Sequence, residues 1–198
     1  MMLAGLNGGG RAAAAAVADG QRLVGVCAQE RVTRVRGSAG TAGLPTDALD
    51  LLLRRSGHVR RDVTKYVVVG GDGLDAGGAP VVTLDHHQAY ASTAYRTSSF
   101  SASAIVVCDR EAPGTSVWLG TGAAVTRVDW AETGPGFAPA YARVAAGLGF
   151  HTAAAEQRLE ALARLEPEAR DARVDALFGW RDGRLVVDPA LEQRLGTW

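Results

Sequence analysis

Short apolar runs separated by glycine-bearing turns open the chain. Residues 3–6, 12–18 and 22–28 are apolar, and Asn7-Gly8-Gly9-Gly10 and Asp19-Gly20 lie between them. This turn chemistry predicts three consecutive antiparallel strands. The alanine run in residues 12–16 has helical propensity as well, but the glycines on either side leave room for barely two turns, so a strand is expected. A helix is predicted over residues 45–55, with Thr46 as N-cap and Leu49, Leu52 and Leu53 on one face, ending before Ser56-Gly57. Residues 66–69 and 81–84 are unbroken β-branched runs, the pattern of strands buried in a sheet covered on both faces, and residues 70–78 between them form a glycine-rich loop. A helix follows over 86–96, then a strand over 104–108 ending at Asp109, and a hairpin from 117–119 and 123–128. Helices are expected over 141–149 and 153–165. A closing hairpin turns at Asp182-Gly183, between Trp180 and the apolar residues 185–187, before a last short helix. No period repeats, which argues against a solenoid.

Three leading strands followed by helix, strand, helix and strand define an α/β layer fold with a mixed sheet and flanking helices. The same order describes one lobe of the actin-like and sugar-kinase-like superfamily, built on a ribonuclease-H-like core, although many α/β folds share it. A chain of 198 residues, 47% hydrophobic and 21% charged, buries one sizeable core. A single domain over 1–198 is expected, with its core in 1–130 and a helical extension over 139–198.

Charge narrows the classes of partner. Lys plus Arg and Asp plus Glu are 21 each, so no net field draws in nucleic acid or an anionic membrane. Lys65 is the one lysine, and with the abundant alanine this reads as coding bias rather than chemistry. Cys27 and Cys108 fall in predicted strands and are expected to be small buried hydrophobes in a reducing cytoplasm. Residues 1–18 lack a basic segment before an apolar stretch and are broken by glycines, so neither a signal peptide nor a membrane span is expected.

Specific stretches carry a family resemblance. Ala28-Gln29-Glu30-Arg31-Val32-Thr33-Arg34, then Ala39-Gly40 and Leu44-Pro45, is similar to the "EERFTR … G-(F)P" segment of O-carbamoyltransferase N-terminal domains of the nodulation and antibiotic type. Residues 85–95, beginning Asp85-His86-His87 and continuing through Tyr90 to Tyr95, resemble that family's "DHHxxHAxSAY" motif. Gly8-Gly9, the strand ending at Asp109, Leu148-Gly149-Phe150 and residues 156–163 match collinearly as well. The resemblance implies the front part of an actin-like module. In the family the remainder of that module supplies much of the nucleotide site, and a second domain makes carbamoyl-adenylate.

The resemblance also implies where chemistry would sit. A His-x3-His pair on one helical turn plus a carboxylate suits a divalent metal, Fe or Zn, that polarises a carbonyl or phosphoryl oxygen. His86 and Asp109 stand at matching positions, and the second histidine position is Tyr90, a poorer ligand at pH 7. His86-His87 is more readily a helix N-terminus in which one ring caps backbone groups and the other packs. Asp109 is followed by Arg110, which could pair with it. Gly8, Gly9 and Gly10 could bring backbone N–H groups to a phosphate, and Arg11 could hold a phosphate or carboxylate. Glu30, Arg31 and Arg34 point to a salt-bridge network or an anion site. Arg158 replaces the family's lysine, and His58 and His151 stand alone. No G-x-S-x-G, Cys-His signature or complete phosphate loop is present.

The expected function is therefore carbamoyltransferase-like, in a bacterial specialised-metabolite pathway, as a binding or partner subunit without carbamoyl transfer of its own and without a bound cofactor. The alternatives are a re-purposed enzyme acting on a natural-product intermediate through His86, His87, Tyr90, Asp109 and Arg11, or one subunit of a split O-carbamoyltransferase. A homo-oligomer or a second pathway protein is the expected partner, with no nucleic acid and no membrane.

Overall fold

The fold was analysed in a computed structural model of the chain, which describes residues 1–8, 13–40, 43–71, 73–109, 114–129, 132–133, 137–151, 155–165, 172–176, 178–181, 184–188, 190 and 193–194. The chain divides into two compact units, Met1–Tyr90 and Ala91–Trp198.

In the first unit, β1 (Met2–Asn7), β2 (Ala14–Asp19) and β3 (Arg22–Ala28) form the predicted antiparallel meander. Gly20 supplies the left-handed residue of the turn between β2 and β3 with φ +56°. Helix α1 (Gln29–Thr33) and helix α2 (Thr46–Arg55) follow, and then β4 (Val63–Val69) pairs parallel to β1 and β5 (Val81–Leu84) parallel to β4. The strand order is β3-β2-β1-β4-β5, with only β2 running against the others. This is the α/β class with a mixed sheet and flanking helices expected from the sequence. Alternate residues Met2, Ala4 and Leu6 of β1, Ala15 and Val17 of β2, and Tyr66 and Val68 of β4 are buried with Ala48, Leu49 and Leu53 of α2. The period of two on the strands and the i, i+1, i+5 stripe on the helix put these side chains on facing surfaces.

Three local expectations change. Pro45, not Thr46, is the N-cap of α2, and it offers no side-chain acceptor. The cap comes from elsewhere in sequence, because Gln29 Oε1 accepts the Ala48 N–H at 2.9 Å. Strand β5 is an edge strand with Val81 and Val82 exposed, so its β-branched run does not mark a strand covered on both faces. Cys27 is half-buried and Cys108 exposed, both as free thiols, because Cys108 falls on the outward register of its strand.

Helix α3 (His86–Thr97) carries the chain into the second unit. There β6 (Ala102–Cys108), β7 (Thr115–Thr121) and β8 (Ala124–Val128) build a separate antiparallel sheet. Ile105, Val107 and Trp118 pack with Ala91 and Tyr95 of α3. Gly120 admits the Tyr95 ring, since a Cβ there would lie 2.5 Å from it. Farther on, β9 (Glu132–Thr133), β10 (Phe178–Arg181) and β11 (Arg184–Val187) form a small sheet, so the predicted closing hairpin is present as β10 and β11. Helices α4 (Phe137–Gly147) and α5 (Ala155–Ala163) pack through Ala145, Ala155 and Leu159, and α6 (Ala172–Asp175) is a single turn. Among the described residues no helix is long and apolar enough to cross a membrane.

Candidate functional site

The residues that open α3 are ordered by one aspartate. Asp85 Oδ1 accepts the Gln88 N–H at 3.2 Å, and the Asp85 carbonyl accepts the Ala89 N–H at 3.0 Å. Asp85 therefore caps the helix, as an aspartate immediately before a helical run does. His86 and His87 occupy the first two helical positions. Their rings meet edge to face at 4.4 Å. His87 is 1% exposed, whereas His86 is half-buried with Nδ1 at 3.8 Å from Asp85 Oδ2. Tyr90, one turn on, presents its ring edge to His86 at 6.2 Å and is 48% exposed. Its phenol is thus beside the first imidazole, as the i, i+4 spacing requires.

In the second unit, Asp109 continues the inward register of β6. Ile105 and Val107 are buried while Val106 and Cys108 face out, and Asp109 is the next inward position. Its N–H donates to the Gly114 carbonyl at 2.8 Å, which keeps the strand pairing for one residue beyond β6. Arg110, the proposed ion-pair partner, lies outside the described residues.

In the opening loop, Gly8 is a packing device. The Gly8 N–H donates to the Val69 carbonyl at 2.8 Å. A Cβ on Gly8 would lie 2.6 Å from the carbonyl oxygens of both Gly43 and Gly70. Carbonyls crowd this residue and its donor is engaged, so Gly8 is not an anion-binding N–H. Gly9, Gly10 and Arg11 lie outside the described residues.

Glu30, Arg31 and Arg34 also part company. Glu30 Oε2 accepts the Gly37 N–H at 3.0 Å and so closes the turn after α1. Arg31 and Arg34 are exposed, and among the described residues neither pairs with Glu30. Arg34 ends α1 in the left-handed region at φ 60°, donating its N–H to the Glu30 carbonyl at 2.9 Å. The segment that resembles the family motif acts here as a joint between β3 and α2. His58, which nothing in the sequence pairs, lies 3.5 Å from Asp62 through Nδ1.

Two groups the sequence did not single out organise this scaffold. Gln29 is fully buried, accepts from Ala48 and donates Nε2 to Asp47 Oδ2 at 2.5 Å. Arg60 grips Asp50 with two hydrogen bonds, Nε to Oδ1 at 2.6 Å and Nη2 to Oδ2 at 2.8 Å. That hydrogen bonding holds the guanidinium above its ordinary value against some desolvation. Tyr66, buried nearby, has its phenol raised chiefly by desolvation, with Arg60 opposing the shift.

No protein-family model and no curated protein matches this chain. Among solved structures it is similar to YeaZ from Pseudomonas aeruginosa, at 14% identity over 64% of each chain with a TM-score of 0.46. It is also similar to an uncharacterized protein with similarity to peptidase YEAZ from Pseudomonas aeruginosa. There the identity is 16%, the coverage 64% of this chain and 63% of that one, and the TM-score 0.44. The chain thus spans slightly less than two thirds of the length of both structures.

Proposed function

We propose that this chain is a carbamoyltransferase-like binding protein that holds a divalent cation through the His86–His87 pair and has no carbamoyl transfer activity of its own. The observation that carries this reading is the histidine pair, two imidazoles at consecutive positions of a capped helix with rings 4.4 Å apart. Imidazole nitrogens are donors that Zn(II) and Fe(II) take, so the pair fits such an ion. Asp85 fixes the helix end that carries both histidines. The exposed phenol of Tyr90 stands where the resemblance calls for the second histidine ligand. A cation so held would polarise a carbonyl or phosphoryl oxygen of a small-molecule intermediate.

Metal analysis after loading with Zn(II) or Fe(II) and desalting tests the reading. Stoichiometric retention in the wild type, and at least a tenfold weaker affinity in His86→Ala and in His87→Ala, is expected. A wild type that retains no metal overturns it.

The companion proposal is a partner, either a second copy or another protein of the pathway. Its support is β3, an edge strand whose Leu23 and Val26 are 60% and 62% exposed. Light scattering that shows a strict monomer, with no pathway protein retained on the immobilised chain, counts against it.

A further inference from the structure

Asp19, Asp50 and Asp62 meet a run of arginines at one end of the first unit, and the charges there do not balance. The register brings the start of β1, the turn between β2 and β3 and the start of β4 to this end, since Met2 lies opposite both Asp19 and Val63. Helix α2 finishes at the same place. Its Leu52 side chain lies over β3, where a Cβ on Gly25 would sit 2.9 Å from Leu52 Cδ2. After Ser56-Gly57 the chain passes through a single turn at Arg60–Asp62 directly into β4.

The carboxylates are engaged. Asp19 Oδ1 holds the Met1 ammonium at 3.1 Å, Arg60 grips Asp50, and Asp62 Oδ2 accepts the Val59 N–H at 2.9 Å with His58 Nδ1 3.5 Å away. Arg22, Arg54, Arg55 and Arg61 are exposed, and among the described residues none of them has a carboxylate partner. Cations in the last turn of a helix commonly serve its free carbonyls. Here the Ser56 N–H and hydroxyl serve those of Leu52 and Leu53, and the Gly57 N–H serves that of Arg54. Arg54 and Arg55 are therefore surplus to the helix. Like charges gathered without counterions hold a local positive potential, in a chain whose formal net charge is zero. Val59 and Leu23 are exposed at the same end.

We propose that this end of the first unit is a docking surface for an acidic segment of a partner protein, whose carboxylates pair with Arg54, Arg55 and Arg61 while its apolar residues cover Val59 and Leu23. The inference rests on the partner reading above and names the chemistry that the partner brings. Guanidinium groups meet carboxylates with two parallel hydrogen bonds, as Arg60 already does with Asp50. A nucleic acid fits this surface less well. Its phosphates would run against the exposed Asp19 and Asp62 carboxylates, and among the described residues this end exposes no aromatic ring on which a base could stack.

Fluorescence anisotropy tests it on the full chain with a short labelled peptide of alternating glutamate and leucine. The wild type is expected to bind this peptide saturably, more weakly as salt rises, and not to bind the counterpart in which glutamine replaces glutamate. A variant carrying Arg54→Glu, Arg55→Glu and Arg61→Glu, shown to be folded by circular dichroism, is expected to lose about tenfold or more in affinity. The matching variant Arg31→Glu, Arg34→Glu and Arg36→Glu reverses exposed arginines beyond the far end of β3, and its affinity is expected to stay within about twofold of the wild type. A wild type that does not bind the acidic peptide, or an equal loss in the two variants, overturns the proposal. Tighter binding of single-stranded DNA of the same length, or of phosphatidylserine vesicles, overturns it as well. A chain that is a strict monomer and retains no pathway protein, yet binds the peptide through Arg54, Arg55 and Arg61, refutes the partner reading of β3 and leaves this surface supported.

Discussion

At the scale of single residues, buried polar side chains replace backbone partners that the sequence does not provide locally. Gln29 supplies the cap that Pro45 cannot, so the Ala48 N–H loses its acceptor in Gln29→Ala. An unsatisfied buried donor costs about 1–3 kcal/mol, and chemical denaturation should report a loss in that range. Gln29→Glu keeps the acceptor but sets a carboxylate against Asp47, so it should recover only part of the loss. Gly8 is a second strict position. A methyl group would collide with two carbonyl oxygens rather than with a flexible side chain. Gly8→Ala is expected to cost at least the ~1–3 kcal/mol typical of overpacking, read as a lower melting temperature. The glycine was visible in the sequence but its reason was not, since the Gly43 and Gly70 carbonyls that wall it in come from distant loops.

At the scale of elements, the sequence was most informative where periodicity and turn residues agree. The opening meander, α2 and the β7–β8 hairpin follow from alternation or a helical stripe bounded by glycine, and α3 from a run between Asp85 and Ser98-Ser99. Helix α1 was missed because five residues are too few to show a stripe, and β5 was misread because a β-branched run does not reveal whether a strand lies at an edge. The candidate site was legible in part. His86, His87 and Tyr90 fall on one helical turn as the motif implies, and Asp109 ends its strand. Asp85 also caps α3, a role that the motif alone did not reveal. Asp85→Ala should therefore destabilise by about 1 kcal/mol. It should also weaken Zn(II) binding by loosening the first turn of α3. Asp85→Asn, which keeps a capping acceptor, should restore the stability.

At the scale of the whole molecule, titration and ligand linkage are the accessible handles. The Tyr66 phenol is raised above its ordinary value because burial disfavours the phenolate. Its contribution to stability is complete below the unfolded value of about 10 and is lost as pH rises through the higher folded value. Alkaline unfolding should accordingly set in above about pH 10, and Tyr66→Phe, which removes the titrating group, should flatten that limb. The Arg60–Asp50 pair is more than a third exposed on both sides, so solvent screens it. Asp50→Asn should cost no more than about 1 kcal/mol. Saturating metal at about 100 times the dissociation constant should stabilise the protein by about 2.7 kcal/mol, a gain that His87→Ala should cut to about 1.4 kcal/mol or less at the same metal concentration.

The central position of β1 has a consequence for how the chain is made. Its two neighbours come from opposite directions in time, β2 directly after it and β4 only when residue 69 has left the ribosome. Until then the strand that will lie mid-sheet is an apolar border with unmet backbone groups, the kind of surface that recruits other nascent chains. Pauses in translation before β4 should therefore lower soluble yield more than pauses after it.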